Sequence, residues 1–151
     1  MSQWPDYLVN GRKVTLLPAK TITTALTGDT SGYGAAAGVD LGYGLQYLGF
    51  QGVFTYGSGG TTAKAWIQTS FDNGTTWFDV ANMAFTTATL TKVGAVSSRI
   101  VAAAPATPTD ATLADNTINN GLLGNKIRVK LTTTGTYAGS TTLKIDIIAK
   151  G

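Results

Sequence analysis

At 151 residues with no cysteine, the chain has the size of one ordinary domain and carries neither a disulfide framework nor a thiolate metal site. Its 11 basic and 8 acidic residues give a net charge of +3, but the basic residues are dispersed rather than clustered with stacking aromatics, which argues against a nucleic-acid partner. There is no histidine and every acidic residue is an aspartate, so histidine-based triads, histidine-ligated zinc and glutamate general bases are excluded; no enzyme and no cofactor are expected.

The first residues, Met1-Ser2-Gln3-Trp4-Pro5-Asp6, lack the basic and apolar regions of a secretory signal, and no apolar run approaches the ~18 residues of a membrane helix. Synthesis in the cytoplasm and no membrane partner are the expectation. Helical periodicity is absent. Short β-branched and aromatic runs separated by Gly, Asn, Asp and Ser predict an all-β fold, an antiparallel β-sandwich of meander or jelly-roll-like type.

In chain order, residues 1–30 read as an extended N-terminal segment and candidate contact arm, with strands at 13–17 and 21–26 split by Pro18. Residues 31–151 read as the sandwich domain. The Gly-rich stretch 28–44 reads as a flexible loop with one short strand, or else an ordered contact arm. Leu48, Phe50, Phe54 and Tyr56 share one face of a long strand in which Gly49 and Gly52 predict a bend or bulge. The next strand places Ala63, Ala65 and Ile67 on one side and Thr62, Lys64, Trp66 and Gln68 on the other. Strands at 76–81 and 85–93 complete an expected meander.

Residues 105–125 are polar and rich in Pro, Asn and Asp, longer than structureless loops usually run in compact domains. This loop and the N-terminal segment are expected to make assembly contacts, and removing the loop is expected to leave a folded domain. A closing hairpin is predicted, with Ile127, Val129 and Leu131 facing inward opposite Leu143, Ile145 and Ile147. Its outer face would carry Lys126, Arg128 and Lys130 against Lys144 and Asp146. The turns at 58–64 and 138–144 echo one another, either as matching hairpins of two sheets or by chance.

One motif is specific. Ser70-Phe71-Asp72-Asn73-Gly74-Thr75-Thr76-Trp77 matches the Asp-box pattern S-x-D-x-G-x-T-W of sialidases and other β proteins. Sialidases carry several copies with catalytic Arg, Glu and Tyr. A single copy, no Glu and three scattered arginines leave Ser70, Asp72, Gly74, Thr76 and Trp77 as a structural turn, with Asp72 accepting backbone N–H groups and Trp77 packing beneath. The run Gly57-Ser58-Gly59-Gly60-Thr61-Thr62-Ala63-Lys64 is no phosphate loop, because Ala63 stands where glycine is required and a strand follows instead of a helix. Candidate partner contacts are Trp66, which reads equally as an exposed aromatic anchor or as a residue buried under a covered outer face, the basic row Lys126, Arg128 and Lys130, and the loop carboxylates Asp110 and Asp115.

The segments TYGSGGTTAKAWIQTSFDNGTTWFDVANMAF, TDATLADNT and LTTTGTYAGSTTLKIDIIAKG together resemble small virion proteins of tailed bacteriophages and prophages. Within that group the resemblance is to capsid decoration (cement) proteins. It implies a β-sandwich or jelly-roll domain, synthesised in the host cytoplasm, sitting as a homo-oligomer (dimer or trimer) on the major capsid protein or another virion protein. A tail, connector or fibre-base component, or a carbohydrate-binding adhesin module, is the alternative it leaves open.

Overall fold

The computed structural model describes residues 12–42, 44–100 and 104–151. Residues 1–11 of the predicted contact arm lie outside the described residues. The elements in chain order are β1 (Arg12–Thr21), a 3-10 turn (Ala35–Ala37), β2 (Val39–Asp40), β3 (Tyr47–Thr55), β4 (Ser58–Gly59) and β5 (Thr62–Ser70). There follow β6 (Phe78–Phe85), β7 (Leu90–Ser97), β8 (Lys126–Thr134), β9 (Tyr137–Ala138) and β10 (Thr142–Lys150).

Two antiparallel sheets pack face to face. The front sheet has the order β1-β10-β3-β7 and the back sheet β2-β8-β5-β6, while β4 and β9 pair separately. Between the strands of these two sheets, only β5 and β6 are joined as a hairpin within one sheet; each other connection crosses to the opposite sheet. That connectivity is a jelly roll. The predicted all-β sandwich is therefore present, but as a jelly roll and not a meander.

The core follows from period-two alternation. Leu48, Phe50 and Phe54 of β3 and Leu143, Ile145 and Ile147 of β10 face Ala63, Ala65 and Ile67 of β5 and Ile127, Val129 and Leu131 of β8, all buried. These are the inward residues read from sequence. Their pairing differs: β8 and β10 are not a hairpin but central strands of opposite sheets, so Lys144 and Asp146 lie on the other side of the molecule from Lys126, Arg128 and Lys130. The two echoing turns zip together, Ser58 opposite Ala138 and Gly59 opposite Tyr137, where each chain passes between central strands of the two sheets. Tyr137 closes that end of the sandwich, its ring edge-on to Phe54 and Tyr56 and its hydroxyl donating to Thr86 O at 2.9 Å.

Several boundaries move. Pro18 does not split a strand, because β1 lies at a sheet edge with register shifts around Leu17, where a missing N–H is tolerated. Residues 12–30 belong to the sandwich: β1 pairs with β10, and Leu26 and Asp29 bond to β8. The Gly-rich stretch continues along that edge of β8 to β2. The strand expected at 85–93 is β7, displaced to Leu90–Ser97 by the crossing from the back sheet to the front.

Gly49 and Gly52 mark no bulge, since β3 pairs in unbroken register on both sides. Gly52 instead makes room for a neighbour across the core: a Cβ there would lie 2.8 Å from Met83 Sδ. Gly94 of β7 makes room for its cross-strand partner in the same sheet, Phe50, whose Cζ would be 2.4 Å from an added Cβ. Gly94→Ala should therefore lower stability by about 1–3 kcal/mol through overpacking, read as a shifted urea midpoint with an unchanged slope. Wild-type stability in that variant would mean the Phe50 ring is free to move aside.

Candidate functional site

The Asp-box is a self-contained turn between β5 and β6. Asn73 and Gly74 take positive φ of 60° and 96° to reverse the chain. Asp72 Oδ1 accepts from the backbone N–H of Thr76 at 2.7 Å and of Thr75 at 3.1 Å, and from Ser70 Oγ at 2.9 Å. Ser70 Oγ in turn accepts from Gly74 N–H at 2.8 Å. The Thr76 N–H above all, then the Thr76 and Ser70 hydroxyls, hold the exposed Asp72 carboxyl at about 2, below its ordinary 3.8. Trp77 is buried beneath, its indole N–H donating to Gly74 O at 3.1 Å. The five turn residues thus make the staple read from the sequence.

The back sheet's outer face is built around a second carboxylate. A β-bulge at Val80 interrupts the register between β5 and β6, so that Asp79 pairs with Gln68 instead of pointing at the core. Buried Asp79 accepts from Gln68 Nε2 at 2.7 Å and from the N–H groups of Ala111, Thr112 and Leu113 at 2.9–3.1 Å. Those three amides belong to the long loop. Gln68 Nε2 also donates to Asp110 at 2.8 Å, and its Oε1 accepts from Arg128 Nε at 2.7 Å. Arg128 continues to Ala36 O at 3.1 Å and lies over the Trp77 ring at 4.2 Å. Burial opposes ionisation of Asp110, but the bonds from Gln68 and Lys130 outweigh it and its pKa falls below the ordinary value.

This network reassigns most of the predicted contact residues. Of the two readings of Trp66 the covered one holds: it is buried beneath the loop, with its indole N–H donating to Leu113 O at 3.0 Å. Arg128 is buried and its donors are used internally. Lys130 pairs with Asp110 and Lys64 with Asp115, each at 2.8 Å, so both loop carboxylates tie the loop to the sheet. Lys126, at the end of the row, runs alongside Gly74 of the turn. The loop is accordingly part of the fold and not an appendage, because removing it would bare Trp66, Gln68 and Asp79. Its polar composition reflects the polar strand face that it satisfies.

The front sheet differs. Its outer face carries Tyr47, Val93 and Ile148 at 38%, 72% and 44% exposure, around a depression of about 410 Å³ that also touches Lys13, Asp146 and Lys150. Asp146 accepts from Thr15 Oγ1 at 2.7 Å and sits 3.6 Å from Lys13 and 3.2 Å from Lys144. No sequence signal marked this face, because Tyr47, Val93 and Ile148 belong to separate strands that only the jelly-roll order brings together. No family model, curated protein or solved structure matches the chain.

Two outcomes follow. Asp79→Ala should destabilise the protein by roughly 3–5 kcal/mol, since it leaves buried donors unpaired; limited proteolysis should then cut within 104–125. For Asp72 the folded-state pKa is depressed, so its contribution is complete above the ordinary 3.8 and fades as pH falls through about 2. Asp72→Ala should melt earlier than wild type at neutral pH, and the gap in Tm should narrow steadily across that acid window.

Proposed function

We propose that this chain is a structural protein of the bacteriophage virion, a capsid decoration protein that attaches to the major capsid protein lattice through the outer face of its front sheet. The observation that carries the choice of face is the contrast between the two sheets. The back sheet's outer face is covered by the chain's own loop, whereas the front sheet leaves Tyr47, Val93 and Ile148 open to solvent in one patch. Contiguous apolar surface rimmed by polar groups marks a contact site. Among the described residues, Lys13, Lys144 and Lys150 stand around it with the carboxylate of Asp146, so the rim suits an acidic partner surface with an apolar centre.

The assignment to a virion rests on the resemblance of residues 54–93 and 107–151 to phage structural proteins. The jelly roll supports it as an architecture shared by viral capsid and lectin domains. The partner is the major capsid protein, and self-association into a dimer or trimer follows the same resemblance.

Purified protein mixed with undecorated phage heads should sediment with them in many copies per particle. Val93→Asp and Ile148→Asp should stay folded, because both positions are exposed, and should bind at least about tenfold more weakly. Lys126→Ala, on the opposite sheet, should bind as wild type. Normal attachment by both aspartate variants would refute the face; attachment to tails but not heads would refute decoration.

A further inference from the structure

Two open sheets have four edge strands, here β1, β7, β2 and β6, and unpaired backbone groups along an edge invite another strand. Among the described residues, three of the four are blunted. β6 is flanked by the long loop, with Asp79 N–H donating to Thr109 O, Asn82 N–H to Thr117 O and Asn119 N–H to Val80 O. β1 carries Pro18 and register shifts around Leu17, and Tyr33 N–H donates to Leu16 O beside it. β2 is two residues long. The fourth edge, β7, runs for eight residues in unbroken register with β3 and contains no proline.

The direction of the β7 backbone follows from its bonds. Just past its end, Ser98 N–H donates to Gln46 O, toward β3, whereas Ser97 N–H turns away and donates to Asn120 Oδ1 at 2.8 Å. Backbone direction alternates along a strand, so Thr91, Val93 and Ala95 also turn away from β3. Among the described residues, their backbone N–H and C=O groups have no hydrogen-bond partner. Leu90 and Val93 on the same strand are 48% and 72% exposed. Lys92 is the strand's one charge, and it is drawn back over the Phe85 ring and toward Asn116.

We infer that β7 pairs with β7 of a second copy, antiparallel across a two-fold axis at Val93, so that two front sheets join into one. The strand itself selects this register. With Val93 opposite the partner's Val93, Thr91 meets the partner's Ala95 and Ala95 meets the partner's Thr91. Each free residue then meets a free residue, and each pair exchanges both hydrogen bonds. An axis at Lys92 would set two like charges face to face. An axis at Gly94 would set Thr91 against Ser97, whose N–H already donates to Asn120. With the axis at Val93, Lys92 lies opposite the partner's Gly94, which has no side chain to obstruct its stem, and the two ammonium groups stay apart. Such self-complementarity is what a two-fold contact requires, so the occupant of this edge is another copy of the chain. The two Val93 side chains meet on the outer face, which makes the apolar patches of the two copies continuous. The inference does not rest on attachment to a capsid, since the pairing needs only purified protein.

The test is sedimentation of full-length protein across a concentration series, joined to disulfide trapping. Wild type should interconvert between monomer and dimer with a Kd on the order of 10 μM. Ala95→Pro removes an N–H that bonds nothing in the monomer, so it should keep the wild-type circular dichroism spectrum yet dimerise at least about tenfold more weakly. Ile148→Asp, on β10 with β3 between it and the edge, should dimerise as wild type, which separates this contact from capsid attachment. The chain has no cysteine, so an introduced one reports a single position. Val93→Cys treated with oxidised glutathione should form a covalent dimer, because hydrogen-bonded antiparallel partners stand about 5.5 Å apart at Cα, within disulfide reach. Thr91→Cys should not, because its two copies would lie about 13 Å apart along the strands. The inference is overturned by a monomer that persists at about 1 mM, by a trimer as the closed species, or by undiminished dimerisation of Ala95→Pro. It is equally overturned if Val93→Cys fails to cross-link, or if Thr91→Cys cross-links as readily.

Discussion

A carboxylate buried in a sheet face must find donors, and the demand made by Asp79 organises half of this molecule. The bulge at Val80 turns Asp79 to the outside of the back sheet, where no core packing competes for the space. Four donors reach it, three of them consecutive backbone amides of one loop. Consecutive amides converging on one carboxylate need a tight local bend, and Ala111 accordingly takes a positive φ of 59°. The loop is therefore shaped as well as anchored by the group it covers. Isolated buried charges are costly, so each member of the network depends on the rest.

The network also explains how the two ends of the chain's motif inventory meet. Trp77 secures the Asp-box from below, and Arg128 lies over its ring while reaching Gln68 and Ala36. One guanidinium thus connects the turn, the bulged strand pair and the Gly-rich stretch beside β8. Exposed ion pairs such as Lys64 with Asp115 add little energy to this. Their geometry sets where the loop lies, while burial of Trp66 and the satisfied Asp79 supply the stability.

Much of the core was legible because alternation is a local signal. Leu48, Phe50 and Phe54, and the inward residues of β5, β8 and β10, follow from period two alone, and the Asp-box turn follows from eight contiguous residues. Strand partnership was not legible. A short Gly/Thr-rich connection reads as a hairpin whether the chain returns beside itself or crosses to the other sheet, and β8 to β10 crosses. The loop misled for a related reason. Polar residues without alternation look like solvent-exposed chain, but here they complement Gln68, Asp79 and Arg128, which themselves look like a solvated strand face. Each half of a buried polar network is indistinguishable from surface until the other half is found. The depression between Phe71 and Asn125 was hidden because those two residues stand 54 positions apart in groups that no spacing rule connects.

The two ends of the sandwich are closed in unequal ways. At the end where β4 pairs with β9, the rings of Phe54, Tyr56, Phe85 and Tyr137 stack and cross, and Gly60 lies so close to Tyr137 that an added Cβ would sit 2.3 Å from the ring. That end is filled by side chains and closed by a ladder. At the opposite end the Asp-box satisfies most of its own backbone within the eight residues Ser70–Trp77, with Asn125 N–H donating to Ser70 O from the long loop. A turn so nearly complete in itself can leave a flank open, and Phe71, which the motif does not fix, is then free to face solvent. The staple is what permits an exposed aromatic, packed against Phe78, at a position the Asp-box pattern leaves unspecified.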